Sequence, residues 1–159
     1  KQKINALEEI IDETDDKIII WANYIYNIEQ IKEFLATKYG KESFVEIYGA
    51  TKVKDRQKAI ELFQNDSKVR FFVSNPTTGG YGLTLTAANT VVYFSNNYNL
   101  EVRKQSEDRA HRSGQTGTVV IIDIITENTI DEKIMKALTI KGQIAAKTLG
   151  EEALKDWLL

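Results

Sequence analysis

Ile18-Ile19-Ile20-Trp21 is an unbroken apolar run of four residues. Its shortness and β-branched content predict a strand buried on both faces, the environment that a parallel sheet provides. Downstream, Ile25, Ile28, Ile31 and Leu35 recur at helical spacing, and the segment closes at Gly40, a residue suited to end a helix. Residues 44–48 then predict a second strand, 53–64 a second helix with Ala59, Ile60 and Phe63 turned inward, and 69–74 a third strand. After the loop Asn75-Pro76-Thr77-Thr78-Gly79-Gly80-Tyr81-Gly82, residues 90–95 read as a fourth strand, 99–112 as a polar helix and 118–125 as a fifth strand. A last helix is predicted over about 129–149, with Ile130, Ile134, Ala137, Leu138, Ile144 and Ala145 on an apolar stripe. Upstream, Ile4, Leu7 and Ile11 are spaced to pack, which predicts a leading helix before Lys17.

Strands alternating with helices across short connections predict an α/β fold, an open parallel β-sheet with helices on both faces. Ligands of such sheets gather at the carboxyl ends of the strands. Here those ends carry Trp21-Ala22-Asn23, Tyr48-Gly49-Ala50-Thr51, the loop at 76–82 and Asn96-Asn97-Tyr98-Asn99.

The 159 residues, 42% hydrophobic and 28% charged, suffice for one domain with one sizeable core. A net charge of −2 excludes a surface-wide electrostatic glove for nucleic acid, so any DNA contact must be local. The absence of cysteine excludes a disulfide framework and a thiol nucleophile, and one histidine cannot build a zinc site. With no signal peptide and no apolar run long enough for a bilayer, the expectation is a soluble, intracellular protein with no membrane partner. Nothing in the composition specifies an oligomeric state. The opening on Lys1, with Met135 the only methionine, suggests a fragment whose native start lies upstream. Abundant Lys, Ile and Asn beside a single proline, Pro76, suggest an AT-rich genome, hence a bacterial cytoplasm or, for a phage, its host's.

Gln105, Arg109 and Arg112 are four and three positions apart, a spacing that puts them on one face if the helix runs through all three. Paired guanidiniums on a rigid element match phosphate oxygens and suit stabilisation of a transferring phosphoryl group, although a solvated helix face has the same spacing. The surrounding string, Gln105-Ser106-Glu107-Asp108-Arg109-Ala110-His111-Arg112-Ser113-Gly114-Gln115, resembles the last helicase motif of Swi/Snf-type ATPases, Q-x-x-D-R-A-H-R-x-G-Q. Every specified position is filled, and Ser113 stands where the family commonly has isoleucine. The stretch from Gly79 to Asn89 is similar to that family's preceding motif, A-G-G-x-G-L-N-L-T-x-A, with Thr78 and Thr84 departing from it. Tyr48-Gly49-Ala50-Thr51 with Arg56, Ile60 and Phe63 resembles G-x-T-x-x-x-x-R-x-x-x-I-x-x-F, and Asn128-Thr129-Ile130-Asp131-Glu132-Lys133-Ile134 resembles the T-I-E-E-K-I segment that follows the arginine motif. Asn97-Tyr98-Asn99 departs from the family's D-W-N-P.

The resemblance implies a RecA-like second helicase lobe of a DNA-dependent ATPase of superfamily two. It implies Arg112 as an arginine finger on the γ-phosphate held by a first lobe, Arg109 in support, and Gln105, His111, Gly80 and Gly82 at the nucleotide or lobe interface. Thr51, Thr77, Thr78, Asn23, Lys52 and Arg56 become contacts to a DNA backbone, since hydroxyls, amides and cations all reach phosphate oxygens. Lys52, Lys54, Arg56 and Lys58 form a basic cluster beside them, which is otherwise an ordinary solvated face. The implied organisation is 1–16 as a lead-in helix or linker from the first lobe, 17–127 as the lobe itself and 128–159 as a helical brace across both lobes.

No G-x-x-x-x-G-K-[ST] phosphate loop and no D-E-x-H string occurs, and in this family both belong to the first lobe. ATP and Mg2+ would therefore be bound mainly by that lobe, leaving this chain inactive alone. The implied partners are double-stranded DNA and the N-terminal RecA-like lobe. The chief alternative is a non-catalytic nucleic-acid or protein-binding module of the same fold. A dinucleotide enzyme is disfavoured because Trp21-Ala22-Asn23 bears no glycine fingerprint after the first strand, and the D-R-A-H-R string favours a duplex translocase over a strand-separating helicase.

Overall fold

A computed structural model describes residues 2–49, 51–77, 83–111 and 115–149. Among these, helices α1 (Gln2–Asp12), α2 (Ile25–Tyr39), α3 (Val53–Asn65), α4 (Leu100–Glu107) and α5 (Ile130–Leu149) alternate with strands β1 (Lys17–Trp21), β2 (Phe44–Ile47), β3 (Phe71–Ser74), β4 (Ala88–Tyr93) and β5 (Val120–Asp123). The strands form one sheet in the order β2-β3-β1-β4-β5, with every neighbouring pair parallel. β1 lies at the centre, Ile19 facing Phe72 of β3 on one side and Val91 of β4 on the other.

The sheet is covered on both faces, which explains why its central strands read as unbroken apolar runs. Ile18 and Ile20 turn with Phe71, Val73, Val92 and Phe94 toward Leu7 and Ile11 of α1 and Ile28, Ile31 and Leu35 of α2. Ile19 and Trp21 turn the other way, with Phe72, Val91 and Tyr93, toward Ala59 and Phe63 of α3, Leu85 and Ala110. Each fully buried large side chain contributes roughly 1.5–3 kcal/mol, so the β1 run anchors both halves of the core. Gly40 ends α2 with φ of 97°, a conformation that costs glycine little and other residues much.

Several boundaries differ from those the sequence predicts, each because a tertiary contact competes with local propensity. β3 begins at Phe71, not at residue 69, because the Lys17 ammonium gathers the carbonyls of Phe63, Asp66 and Val69 and holds that stretch in a turn. Arg70 next to it donates to the carbonyls of Ile11, Thr14 and Asp16, tying the end of α1 to the sheet. α4 stops at Glu107 although the pattern runs on to residue 112. Arg109 N–H turns back to Ser106 O (3.3 Å), and Arg109 O instead accepts from Leu85 N–H (3.0 Å). The predicted stripe of α5 is only partly buried: Ile134 and Leu138 are covered, whereas Ile130 and Ile144 are 54% and 60% exposed. α5 starts at a polar cap, with Asn128 at φ 58° and the Thr129 hydroxyl accepting from Asp131 N–H (3.2 Å).

Parallel strands dictate where the connections run. The chain leaves β3 at its carboxyl end and enters β4 at its amino end, and likewise between β4 and β5, so each connection has to return along the sheet. Leu83, Leu85 and Ala87 of the first crossover and Ala110 and Val119 of the second share the same core face. The fold therefore brings the glycine motif and the arginine motif side by side.

Candidate functional site

Two regions emerge from this arrangement. At the carboxyl rim, asparagine and serine side chains knit the ends of β1, β3 and β4 together. Asn23 N–H donates to Ser95 Oγ (2.7 Å), which donates on to Asn27 Oδ1 (2.9 Å). Asn75 Nδ2 donates to Asn23 O (3.0 Å) and Asn97 Nδ2 to Asn23 Oδ1 (3.1 Å), while Asn75 Oδ1 receives Thr77 N–H (2.8 Å). Asn23 is thus brought beside the Thr77 loop, and Thr77 is exposed. After β2, Thr51 Oγ1 accepts from Tyr48 N–H (3.1 Å), and Arg56 donates to Thr51 O (2.9 Å) and Gly49 O (3.3 Å). Arg56 consequently braces this loop, whereas Lys52, Lys54 and Lys58 around it are exposed. The stacked pair Tyr24 and Tyr26, centroids 5.4 Å apart, also stands in solvent beside the rim.

The second region surrounds α4. Its buried residues are Arg103 and Ser106, both polar. The Arg103 guanidinium grips Asp123 at the end of β5 through two bonds, Nη1 to Oδ1 (2.6 Å) and Nη2 to Oδ2 (2.9 Å). Nε donates to Glu107 Oε1 (2.9 Å) and Nη1 also to Asn96 Oδ1 (3.0 Å), and the guanidinium lies 3.5 Å from the centroid of the Tyr93 ring. Tyr93 Oη and Ser106 Oγ are 2.6 Å apart. Burial opposes the charge of Arg103, but the hydrogen bonds to Asp123 and the neighbouring negative groups outweigh it and hold the guanidinium charged. Burial pushes the Glu107 carboxyl up, against the pull of Arg103, and pushes the Tyr93 hydroxyl up likewise.

Beyond α4 the chain is held against the glycine-motif segment. Besides the bond between Leu85 N–H and Arg109 O, Gln115 Nε2 lies within 3.0–3.1 Å of the carbonyls of Thr86, Ala88 and Ala110. Gln64 of α3 secures the same segment from the other side, accepting from Ala87 N–H (2.7 Å) and donating to Thr86 Oγ1 (3.1 Å). Gly117 lies close to Asn89: a Cβ there would meet Nδ2 at 2.7 Å and push the end of that side chain aside.

Of the residues the motifs single out, Gln105 and His111 are exposed, while Arg109 is only 7% exposed and lies beyond the end of α4. Gln105 and Arg109 therefore do not share one exposed helix face. Thr78, Gly80, Gly82 and Arg112 lie outside the described residues. Among the described residues no cluster of three His, Cys, Asp or Glu side chains could hold a metal ion, and no helix is long and apolar enough to cross a membrane. Arg103, Asp123, Gln64 and Asn27 carry structural chemistry that sequence reasoning missed. Arg103 and Asp123 look like ordinary surface charges in the sequence, and only the docking of α4 against the ends of β4 and β5 pairs them.

The family model described as helicase conserved C-terminal domain matches residues 2–114. The chain belongs to the helicase conserved C-terminal domain family. Its similarity to solved structures agrees: the crystal structure of the C-terminal part of the Fun30 ATPase domain superposes with a TM-score of 0.79 at 33% identity, covering 86% of this chain and 44% of that one. This helicase C-terminal domain is 32% identical over 143 residues to Helicase SWR1 of Saccharomyces cerevisiae, covering 90% of this chain and 9% of the relative. To ATP-dependent helicase FUN30 of the same yeast it is 35% identical over 136 residues (83% and 12%), and to Chromatin-remodeling ATPase INO80 of Homo sapiens 31% over 128 residues (80% and 8%). The domain spans about a tenth of the length of these relatives. All three are eukaryotic, and none of them supports the bacterial or phage source that composition suggests.

Proposed function

We propose that this helicase C-terminal domain is the second motor lobe of an ATP-driven translocase on double-stranded DNA. Its partner is a first RecA-like lobe of the same protein, which holds most of the ATP and Mg2+ site. Bound between the lobes, ATP supplies the phosphoanhydride whose hydrolysis powers movement. This chain contributes Arg112 toward the γ-phosphate, Arg109 supporting it from within the lobe, and Gln105, His111, Gly80 and Gly82 at the lobe interface. Asn23, Thr51, Thr77, Thr78 and Lys52 follow the DNA backbone, with Arg56 shaping their loop. Residues 1–16 lead in from the first lobe, and 128–159 brace the two.

The observation that carries this reading is the bond between Leu85 N–H and Arg109 O (3.0 Å), which joins the arginine motif to the glycine motif main chain to main chain. A displacement of the arginine turn by nucleotide is thereby coupled to the crossover that begins at the Thr77 rim, so one movement serves both ligands. The test is ATP hydrolysis by the full-length protein with duplex DNA, single-stranded DNA or none, beside its Arg112→Ala variant. Duplex-stimulated turnover that falls about a thousandfold or more in the variant is expected. Hydrolysis absent under every condition would instead make the domain a binding module.

A further inference from the structure

α4 carries the arginine motif, yet it is poorly equipped to stay in place by ordinary means. It has eight residues, about 12 Å of helix, too short to be stable by itself. An apolar stripe would normally dock such a helix, but the buried positions here are Arg103 and Ser106. Apolar packing tolerates small slides of one surface along another. A bidentate guanidinium–carboxylate pair does not, because both its bonds lie in one plane and are lost together when either partner tilts.

We infer that the Arg103–Asp123 pair is a positioning device that sets the height and rotation of α4, and through it the aim of the arginine turn. This rests on the motor reading above. Both terminal nitrogens of Arg103 are directed at the sheet: Asp123 ends β5, Asn96 follows β4, and the ring beneath the guanidinium is Tyr93 of β4. Glu107, which takes the Nε donor at 2.9 Å, is the last residue of α4 and stands two positions before Arg109. The guanidinium thus links the carboxyl edge of the sheet to the residue from which the turn departs. Ser106, bonded to Tyr93 Oη at 2.6 Å, supplies a second point, so α4 can neither slide nor rotate without breaking a buried bond. Arg103 touches no reacting atom and acts only through where it puts its neighbours. A misplacement of catalytic groups by about 1 Å is worth about a hundredfold in rate.

The full-length protein with Asp123→Asn or Arg103→Lys tests this, read by amide hydrogen exchange and by steady-state ATP hydrolysis. Each substitution keeps size and polarity while removing one half of the fork. Amides of residues 103–111 should exchange about tenfold faster or more, while those of β1 and β3 stay within about twofold. Turnover should drop about ten- to a hundredfold with KM for ATP within about threefold, and Asp123→Glu, which restores two charged oxygens, should recover part of it. Unchanged exchange in 103–111 would overturn the clamp. Faster exchange with unaltered turnover, or a loss shared equally by KM and by the exchange of the whole sheet, would overturn the positioning role. A wild-type protein that hydrolyses no ATP would refute the motor reading instead, and the exchange result would then decide the clamp alone.

Discussion

At the carboxyl rim the protein presents neutral carboxamides, hydroxyls and exposed lysines; along α4 it buries an arginine among two carboxylates and a tyrosine ring. Both regions are polar, but they use polarity differently. The rim fixes its backbone with carboxamides, hydroxyls and the Arg56 guanidinium on two carbonyls, and leaves Lys52, Lys54 and Lys58 in solvent, where their attraction is long in reach, loose in geometry and weakened by salt. The α4 cluster has spent its charge internally, with Arg103 paired to Asp123 and Glu107. Buried pairs add little net stability over apolar packing, yet they specify one geometry. The motor reading proposed above would place these opposite demands on charge, a loose attraction along the rim and a fixed geometry along α4.

The contrast breaks most visibly on truncation. Arg103→Ala strands two carboxylates in a buried site and should cost about 3–5 kcal/mol in a denaturant titration, whereas Lys52→Ala should stay within about 0.5 kcal/mol. Equal losses would erase the distinction. Thr51→Val removes the hydroxyl that receives Tyr48 N–H and should cost about 1 kcal/mol by the same titration. Replacing Lys52, Lys54 and Lys58 together by glutamine should leave unfolding unchanged but flatten the salt dependence of duplex binding, by about 0.9 in the log–log slope for each phosphate that the lysines no longer neutralise. An unaltered slope would remove the rim from the DNA path.

The smallest effect concerns pH. Burial raises Glu107 above the ordinary carboxyl value of 4.5, so the folded state holds this proton more tightly than the unfolded chain does. That contribution is fully present below 4.5 and is lost as pH rises through the raised value. Thermal unfolding measured upward from pH 4.5 should show this descent in the wild type and lack it in Glu107→Gln. The same descent in both proteins would assign the titration to another group.

Much of the architecture was legible in the residues. The β1 run, the helical spacing after it and the close at Gly40 all appear where expected, because each depends on neighbours in sequence or on a period that packing preserves. The rim residues were legible too, since the strand order exposes those strand ends wherever the helices lie. Less legible was α4, whose polar pattern continues through Arg112 without a break. Its regular part ends at Glu107, where Arg109 N–H takes the carbonyl of Ser106 three residues back, and Arg109 O meets Leu85 N–H of a different crossover. The α5 stripe was over-read for a related reason: a helical period shows which residues could be buried together, not how far the partner surface extends, and Ile144 lies beyond it.

By itself, the sequence determined the order of the elements, their placement in a parallel sheet and the two motifs that carry the family. Those follow from local propensity and from apolar side chains that any compact arrangement of these segments must bury. Only the tertiary structure decided that Arg103 closes on Asp123, that Arg56 turns back on its own loop, that Lys17 and Arg70 cap carbonyls, and that Arg109 leaves the helix. A charged side chain has many partners within reach of its sequence neighbours, and which one it takes depends on where burial makes an unpaired charge most costly.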